Sequence, residues 1–164
     1  MTILGIDPGL ATVGYGVILT DGHKHKLVEF GTLTTRAGQA TPLRLRSIFM
    51  DVSRLMDIYE PDEVAFEELF FSRNVTTAMD VGAARGAAIV AAAQRTERLF
   101  EYTPMQIKQA VVGYGKAEKR QVQQMVKMLL SLAEAPRPDD AADALAVAIT
   151  HAHTAAFSHQ FKIK

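Results

Sequence analysis

The order in which hydrophobic periodicities follow one another constrains the fold of this chain more than any other feature. Residues 2–7, 13–19 and 26–35 are rich in apolar and β-branched residues and predict three strands. From Thr41 the apolar residues recur at helical spacing up to Pro61. Beyond that point predicted helices and strands alternate. Strands first and alternating elements afterwards predict a mixed α/β sheet with helices on its faces.

The remaining predicted elements complete a five-stranded sheet. With 164 residues the chain is long enough for one compact domain. We expect a single domain over residues 1–157 and a frayed tail at residues 158–164. The later elements are a strand at 62–71, a helix at 77–95, a strand at 98–104 and helices at 104–112, 117–132 and 139–156.

The absence of cysteine limits the chemistry available to the chain. There is no cysteine, so disulfides and thiolate metal sites are excluded, and any metal must be held by oxygen or imidazole ligands. This composition fits the reducing cytoplasm, where we expect the protein to act. We expect no signal peptide and no membrane span, because the apolar run Ala87–Ala93 is far short of the ~20 residues that a span needs.

The formal net charge of zero hides an uneven charge distribution. Residues 51–70 contain seven acidic residues against one arginine, and residues 105–128 contain four lysines and one arginine against a single glutamate. A protein with zero net charge can therefore still have a basic face, although two solvated helix faces explain the same pattern.

Carboxylates occur beside apolar segments at three places. Asp7 ends the first predicted strand, and Glu67 faces away from the apolar residues of the fourth. Asp140 and Asp143 are three residues apart at the start of the last helix, so they share a face. Asp139 is four residues before Asp143, and spacing alone does not distinguish Asp139 from Asp140.

Each acid also has an ordinary interpretation. Asp7 suits a turn before Pro8, and Asp139 or Asp140 suits a helix cap. Glu67 could be a charge at a strand edge, although its apolar neighbours make that costly. If the acids converge, their repulsion raises their pKa values and is relieved by a bound cation. Oxygen ligands suit Mg²⁺ or Mn²⁺, and two such ions about 4 Å apart can clamp both oxygens of a phosphodiester displacement.

Four stretches carry a resemblance to a known family. "GIDPGLATVGYGVI", "FEELFF", "QIKQAVVGYGKAEKRQV" and "DDAADALAVAITHAH" resemble the RuvC family of Holliday-junction resolvases, in the same order and over nearly the whole chain. The resemblance implies a ribonuclease H-like fold and a homodimer. It also implies a metal-dependent endonuclease that resolves four-way DNA junctions in recombination and repair by paired nicks in opposing strands.

The resemblance also implies the roles of individual residues. The catalytic and metal-binding acids are Asp7, Glu67, Asp140 and Asp143, with two Mg²⁺ or Mn²⁺ ions at each active site. Asp140 is therefore preferred to Asp139. A branch-migration motor is implied as a partner. The expected DNA-binding residues are Phe70, Phe71, Arg73, Lys108, Lys116, Lys119 and Arg120; Lys108 and Lys119 match basic positions near the scissile phosphate.

Other interpretations remain open at this stage. A related ribonuclease H-like nuclease could act on other branched DNA or on RNA. A junction-binding scaffold without catalysis would be expected to lack the acids. "DPGLATVGYG" also resembles the first phosphate loop of actin-like ATPases, but the chain has no second Asp-Gly loop. We interpret His151 and His153 as ordinary helix residues rather than metal ligands.

Overall fold

A computed structural model describes residues 1–69 and 75–164, apart from the side chains of residues 75–77 and 156. The described chain contains five strands, five α-helices and a final 3-10 helix at Ala155–Phe161. In chain order the strands and α-helices are β1 (Thr2–Asp7), β2 (Thr12–Thr20), β3 (His25–Thr34), α1 (Thr41–Tyr59), β4 (Glu63–Glu67), α2 (Val75–Ala93), β5 (Leu99–Tyr102), α3 (Pro104–Val112), α4 (Lys119–Leu129) and α5 (Asp139–Thr154).

The five strands form one mixed sheet in the order β3-β2-β1-β4-β5. β2 pairs antiparallel with β1 and β3, whereas β4 pairs parallel with β1 and β5. The register places Ile6 beside Phe66, so Asp7 and Glu67 follow at the same edge of two neighbouring parallel strands. The predicted five-stranded mixed sheet is confirmed.

The two faces of the sheet bury two separate apolar clusters. Leu4, Ile6, Val64 and Phe66 face one side, where they pack with α1 and α2. Ile3, Ile18 and Ala65 face the other side, where they pack with α3, α4 and α5. Helices therefore cover both faces, as predicted. Among the residues that the structure describes, no helix combines the length and the apolar character needed to span a bilayer.

Helix α5 lies unusually close to the centre of the sheet. A Cβ atom at Gly5 of β1 would lie 2.1 Å from the carbonyl oxygen of Ala144 and 2.9 Å from the Cβ of Ala148. Real Cβ atoms do not make such contacts, so the close approach requires glycine at this position. The small side chains of both elements thus let the backbone of α5 rest directly on β1.

The largest differences between the predicted and the observed element limits are at β4, at α4 and in the final segment. Strand β4 ends at Glu67, four residues earlier than predicted, and α4 ends at Leu129 rather than 132. The segment 158–164, which we expected to be frayed, is instead attached to the sheet edge. The backbone N–H of Ile163 donates to the carbonyl of Leu99, and Phe161 packs against Tyr102. The reason lies in the tertiary structure. β5 is an edge strand, and this segment forms hydrogen bonds with some of its free backbone groups.

Candidate active site

The acids singled out by sequence meet at one edge of the sheet. Asp7 and Glu67 end the adjacent strands β1 and β4, and α5 begins above them with Asp140 and Asp143 in its first turns. The expected facing of Glu67 is confirmed, because it lines a cleft with Ile107, Val122 and Ala146, on the side opposite Val64 and Phe66. Tertiary contact thus brings together carboxylates from three separate elements.

Asp7 has the most perturbed environment of these acids. Its pKa is raised from 3.8 to about 8. Burial is the largest cause, followed by the negative charges of Glu67, Asp143 and Asp140. A hydrogen bond with the Glu67 carboxyl contributes in the same direction. Asp7 therefore holds a proton at neutral pH while the acids have no cation to balance them.

The pKa values of Glu67 and Asp143 are also raised. For Glu67 the largest cause is burial, followed by the charge of Asp143, while Lys119 and Lys108 oppose the shift. For Asp143 burial again dominates, and the hydrogen bond from Lys119 opposes it. Raised pKa values at three neighbouring carboxyls are typical of sites that bind cations or transfer protons.

Two lysines face these acids across a small cleft. Lys108 of α3 and Lys119 of α4 line a cavity of about 190 Å³ together with Glu67 and Asp143. The Lys119 Nζ lies 2.9 Å from Asp143 Oδ2 and 3.4 Å from Asp139 Oδ2. Both lysines that the resemblance placed near a scissile phosphate therefore lie beside the acids.

The structure distinguishes the two adjacent aspartates at the start of α5. Neither caps the helix, because the N-cap position is Pro138 and both acids are helical residues. Asp139 is exposed, accepts a hydrogen bond of 2.9 Å from Gln123 Nε2 and is held by Lys119. Asp140 is half-buried, and its charge acts directly on Asp7. Asp140 is thus the member of the pair that faces the strand ends.

Glu68 and Lys116 do not line the cavity that Glu67, Asp143, Lys108 and Lys119 line. Glu68 is exposed and lines a polar cavity with Glu101, Gln160 and Lys162. Lys116 lines a separate apolar cavity. Arg120 is exposed in the first turn of α4. Three further predicted DNA-binding residues lie outside the described residues: Phe70, Phe71 and Arg73.

The acid cluster fits a divalent cation by its donor chemistry. Its ligating atoms are carboxylate oxygens, which suit Mg²⁺ and Mn²⁺. Burial and mutual repulsion oppose full ionisation of Asp7, and a bound cation would reverse that. Within residues 1–69 and 75–164, no three acidic or imidazole side chains are grouped closely enough to hold a metal ion together. The carboxyls lie near enough to shift one another's pKa values, although they do not enclose a common centre.

Sequence analysis missed a second polar cluster, which lies on β4 and α5. Glu63 of β4 is 4 % exposed and His151 of α5 is fully buried, and their side chains are hydrogen-bonded to each other. The signal was present, because strand alternation puts Glu63 and Glu67 on one face. His151 is a residue of helix α5, as interpreted from the sequence, and it does not line the cavity beside the acids, but its burial and its hydrogen bond to Glu63 were not predicted.

Comparison with known proteins gives a consistent picture. The family described as "Crossover junction endodeoxyribonuclease RuvC" matches residues 3–151. The crossover junction endodeoxyribonuclease RuvC of Alkaliphilus oremlandii is 57% identical over 164 residues, which cover 100% of both proteins. Thermus thermophilus RuvC in complex with a Holliday junction substrate is 41% identical, with a TM-score of 0.90 over 94% of each chain. A separate structure of Thermus thermophilus RuvC gives a TM-score of 0.88 at 40% identity, over 95% of this chain and 96% of the other.

Proposed function

This chain belongs to the RuvC family of crossover junction endodeoxyribonucleases, and we propose that it cuts DNA at the cluster of Asp7, Glu67, Asp140 and Asp143. It is a nuclease that hydrolyses DNA and resolves four-way junctions. The observation that carries the assignment of the site is that these carboxyls lie close enough for their charges to raise the pKa of Asp7. They reach one sheet edge from three elements, and their repulsion and burial raise the pKa of Asp7 to about 8.

Nucleases of this family depend on a metal ion. We propose Mg²⁺, with Mn²⁺ as a substitute, and two ions at each site held by the four carboxylates. When bound, such ions supply Lewis-acid activation of water and neutralise charge on the phosphate and the departing oxygen. Support comes from the donor set, since carboxylate oxygens converge on this edge and their raised pKa values leave the ionised cluster in need of positive charge.

The lysines complete the electrostatics of the cleft. Lys119 neutralises Asp143 at 2.9 Å, and its own pKa is raised by the hydrogen bond to Asp143 and by the charges of Asp143 and Asp139, despite partial burial. Lys119 therefore stays protonated. Together with Lys108 it places positive charge in the cavity that Glu67 and Asp143 also line, where a phosphate anion would be stabilised on entry.

The remaining DNA contacts are proposed from the resemblance. Phe70 and Phe71 would stack on bases opened at the junction, a contact worth ~1–3 kcal/mol per base. Arg73, Lys116 and Arg120 would bind backbone phosphates, which position DNA without reading its sequence. Arg120 and Lys116 are both exposed, which supports this role.

We propose that two copies of the chain act together, each nicking one of two opposing strands. Helix α2 supports a homodimer because one of its faces presents apolar side chains to solvent. Met79 is 72% exposed and Val90 is 55% exposed, and a Cβ at Gly86 would meet none of the described atoms within 4 Å. These three residues share one helix face, since their separations are close to whole numbers of turns.

Two further proposals concern a partner and the compartment. A branch-migration motor is proposed as a partner because a resolvase needs junctions brought to a cleavable position, and this rests on the family resemblance alone. The cytoplasm is proposed as the compartment because it contains the DNA substrate and suits a chain without cysteine.

The direct test uses Asp7→Asn and Asp143→Asn with four-way, Y-shaped and linear DNA, with and without Mg²⁺. We expect wild-type protein to nick four-way junctions in the presence of Mg²⁺. The variants should bind the junction with affinity within about threefold of wild type but nick it at least ~100-fold more slowly, because one missing electrostatic group at a reacting centre costs ~10²–10³ in rate. Wild-type nicking by either variant would show that the site is elsewhere.

A further inference from the structure

A buried chain of hydrogen bonds crosses from the sheet to α5 on the cleft side. His151 Nε2 lies 2.5 Å from Glu63 Oε2, and His151 Nδ1 lies 2.7 Å from the Tyr102 hydroxyl. That hydroxyl is 2.8 Å from Thr154 Oγ1, also on α5. At its outer end Glu63 pairs with Arg98. Three elements, β4, β5 and α5, are thus joined by directional polar contacts inside an otherwise apolar layer.

The protons of this chain can be placed consistently. Burial lowers the pKa of His151, so its imidazole is neutral at neutral pH. Nε2–H then donates to the Glu63 carboxylate, whose charge is balanced by Arg98. Burial raises the pKa of Tyr102 to about 12, so its hydroxyl keeps its proton and donates to His151 Nδ1. Both imidazole nitrogens are therefore satisfied, which is the condition under which a buried polar network fixes one arrangement.

The network and the acid cluster occupy opposite ends of the same pair of elements. Glu63 and Glu67 are four residues apart on one face of β4, a distance of about 13 Å. Asp143 and His151 are eight residues apart on α5, a rise of about 12 Å. Because these spans nearly match, a contact between His151 and Glu63 at one end sets where Asp143 lies relative to Glu67 at the other.

Between these two ends α5 packs on β1 through small residues, while its larger side chains, such as Leu145, pack toward β2. The contacts of α5 with β1 come from Ala144 and Ala148 against Gly5, beside Ala65 of β4. Such residues allow close approach but have no long side chains that interlock along the helix axis. Dispersion contacts among them change little over a small axial shift, whereas a hydrogen bond is lost within about 1 Å.

We propose that His151, held between Glu63 and Tyr102, is a positioning residue that fixes the register of α5 along β4 and thereby spaces Asp143 from Glu67 for metal binding. The inference rests on the proposed metal-binding role of these two acids. His151 touches neither DNA nor the reacting atoms. It acts at a distance of two helical turns, through the rigid helix that carries Asp143.

The test compares two substitutions at the same position. His151→Gln keeps a donor toward Glu63 and an acceptor toward Tyr102, whereas His151→Leu keeps neither. Mn²⁺ binding to the DNA-free protein is measured by electron paramagnetic resonance. Nicking of a four-way junction is measured as a function of Mg²⁺ concentration. We expect His151→Leu to weaken Mn²⁺ binding at least fivefold and to raise the half-saturating Mg²⁺ concentration similarly. His151→Gln should stay within twofold of wild type in both.

Tyr102→Phe provides a milder variant in case His151→Leu folds poorly. It removes one hydroxyl and retains the ring that packs on Phe161. We expect a two- to fivefold increase in the half-saturating Mg²⁺ concentration, with junction affinity unchanged. Tyr59→Phe is the matched control, since Tyr59 lies on α1 on the other face of the sheet. It should behave as wild type.

The outcomes separate this inference from the proposed site. If Glu67→Gln and Asp143→Asn retain nicking, the site itself is wrong. If those variants are inactive but His151→Leu and Tyr102→Phe lower only the melting temperature, with metal dependence equal to wild type, the network is structural and the positioning role is refuted. Failure of His151→Gln to restore Mn²⁺ binding would also refute it.

Discussion

Asp7 pairs with Gly14 across the β1–β2 ladder, and Gly14 in turn lies against the backbone of Asp140. A Cβ atom at Gly14 would lie 1.9 Å from the Asp140 carbonyl oxygen. The absence of a side chain on the strand beside Asp7 is therefore what allows the first turn of α5 to reach the strand ends. One glycine thus couples the sheet to the placement of two of the four acids.

Replacing Gly14 should separate the acids. In Gly14→Ala the new methyl group meets backbone atoms, so the start of α5 must move away from β1. We expect a loss of at least ~10-fold in nicking rate and ~2 kcal/mol or more in the free energy of unfolding, in the range that overpacking causes. The measurements are junction nicking at saturating Mg²⁺ and urea denaturation.

Gly16→Ala is the matched control on the same strand. Its Cβ would lie 2.6 Å from Leu145 Cδ2, 2.8 Å from Leu145 Cγ and 3.0 Å from Leu145 Cα, so its closest contacts are with a side chain, whereas those of Gly14 are with backbone at 1.9 Å. We expect a smaller loss of stability and nicking within about threefold of wild type. Equal effects of the two substitutions would contradict the special role of Gly14.

The adjacent aspartates at the start of α5 should differ in importance. Asp140→Asn removes a charge that acts on Asp7, and we expect nicking to fall at least ~100-fold. Asp139→Asn alters an exposed side chain bound to Gln123 and Lys119, and we expect a change of less than about threefold. Parallel single-turnover nicking assays distinguish them. The reverse order would assign the metal-binding role to Asp139.

The stability of the metal-free protein should depend on the protonation of Asp7. The folded pKa of about 8 exceeds the ordinary value of 3.8. Between these pH values the native state binds a proton that the unfolded state has released. The free energy of unfolding therefore falls as pH rises from about 4 to about 8, by at most ~1.4 kcal/mol per pH unit. Asp7→Asn removes this titration, so the variant should be more stable than wild type, and more so at pH 8 than at pH 5.

Urea denaturation in EDTA at the two pH values measures this difference, and added Mg²⁺ provides the control. The cation should stabilise wild type at pH 8 and leave Asp7→Asn nearly unchanged, because it binds the ionised cluster of the native state. A stability difference between wild type and variant that is the same at pH 5 and pH 8 would show that Asp7 does not titrate in this range.

The exposed face of α2 predicts the oligomeric state. Val90→Asp places a charge on an apolar surface at a residue that is 55% exposed, so folding of the single chain should be unaffected. If this face pairs two copies, burying an unpaired carboxylate there strongly opposes association. We expect wild type to sediment as a dimer and Val90→Asp as a monomer. Glu97→Asp, an exposed substitution beyond the end of α2, is the control and should remain dimeric.

Local pattern was sufficient to predict the main elements of the fold. Alternation in "EVAFE" put Val64 and Phe66 on one face and Glu67 on the other, as observed. Pattern was less reliable at chain ends. The tail was expected to be frayed because terminal segments are often poorly ordered, but the edge strand β5 pairs with it through Ile163.

The sequence by itself determined which residues could serve as the acid cluster, because strand ends and the start of a helix are local properties and the motifs around Asp7, Glu67 and Asp143 are specific. Tertiary structure decided which side chains face one another. It turned Asp140 toward Asp7 while Asp139 points to Lys119, and it paired the distant residues Glu63 and His151. The physical reason is that spacing along a chain fixes only the direction of a side chain on its own element. Burial, repulsion and hydrogen bonding between elements exist only after the helix has packed on the sheet.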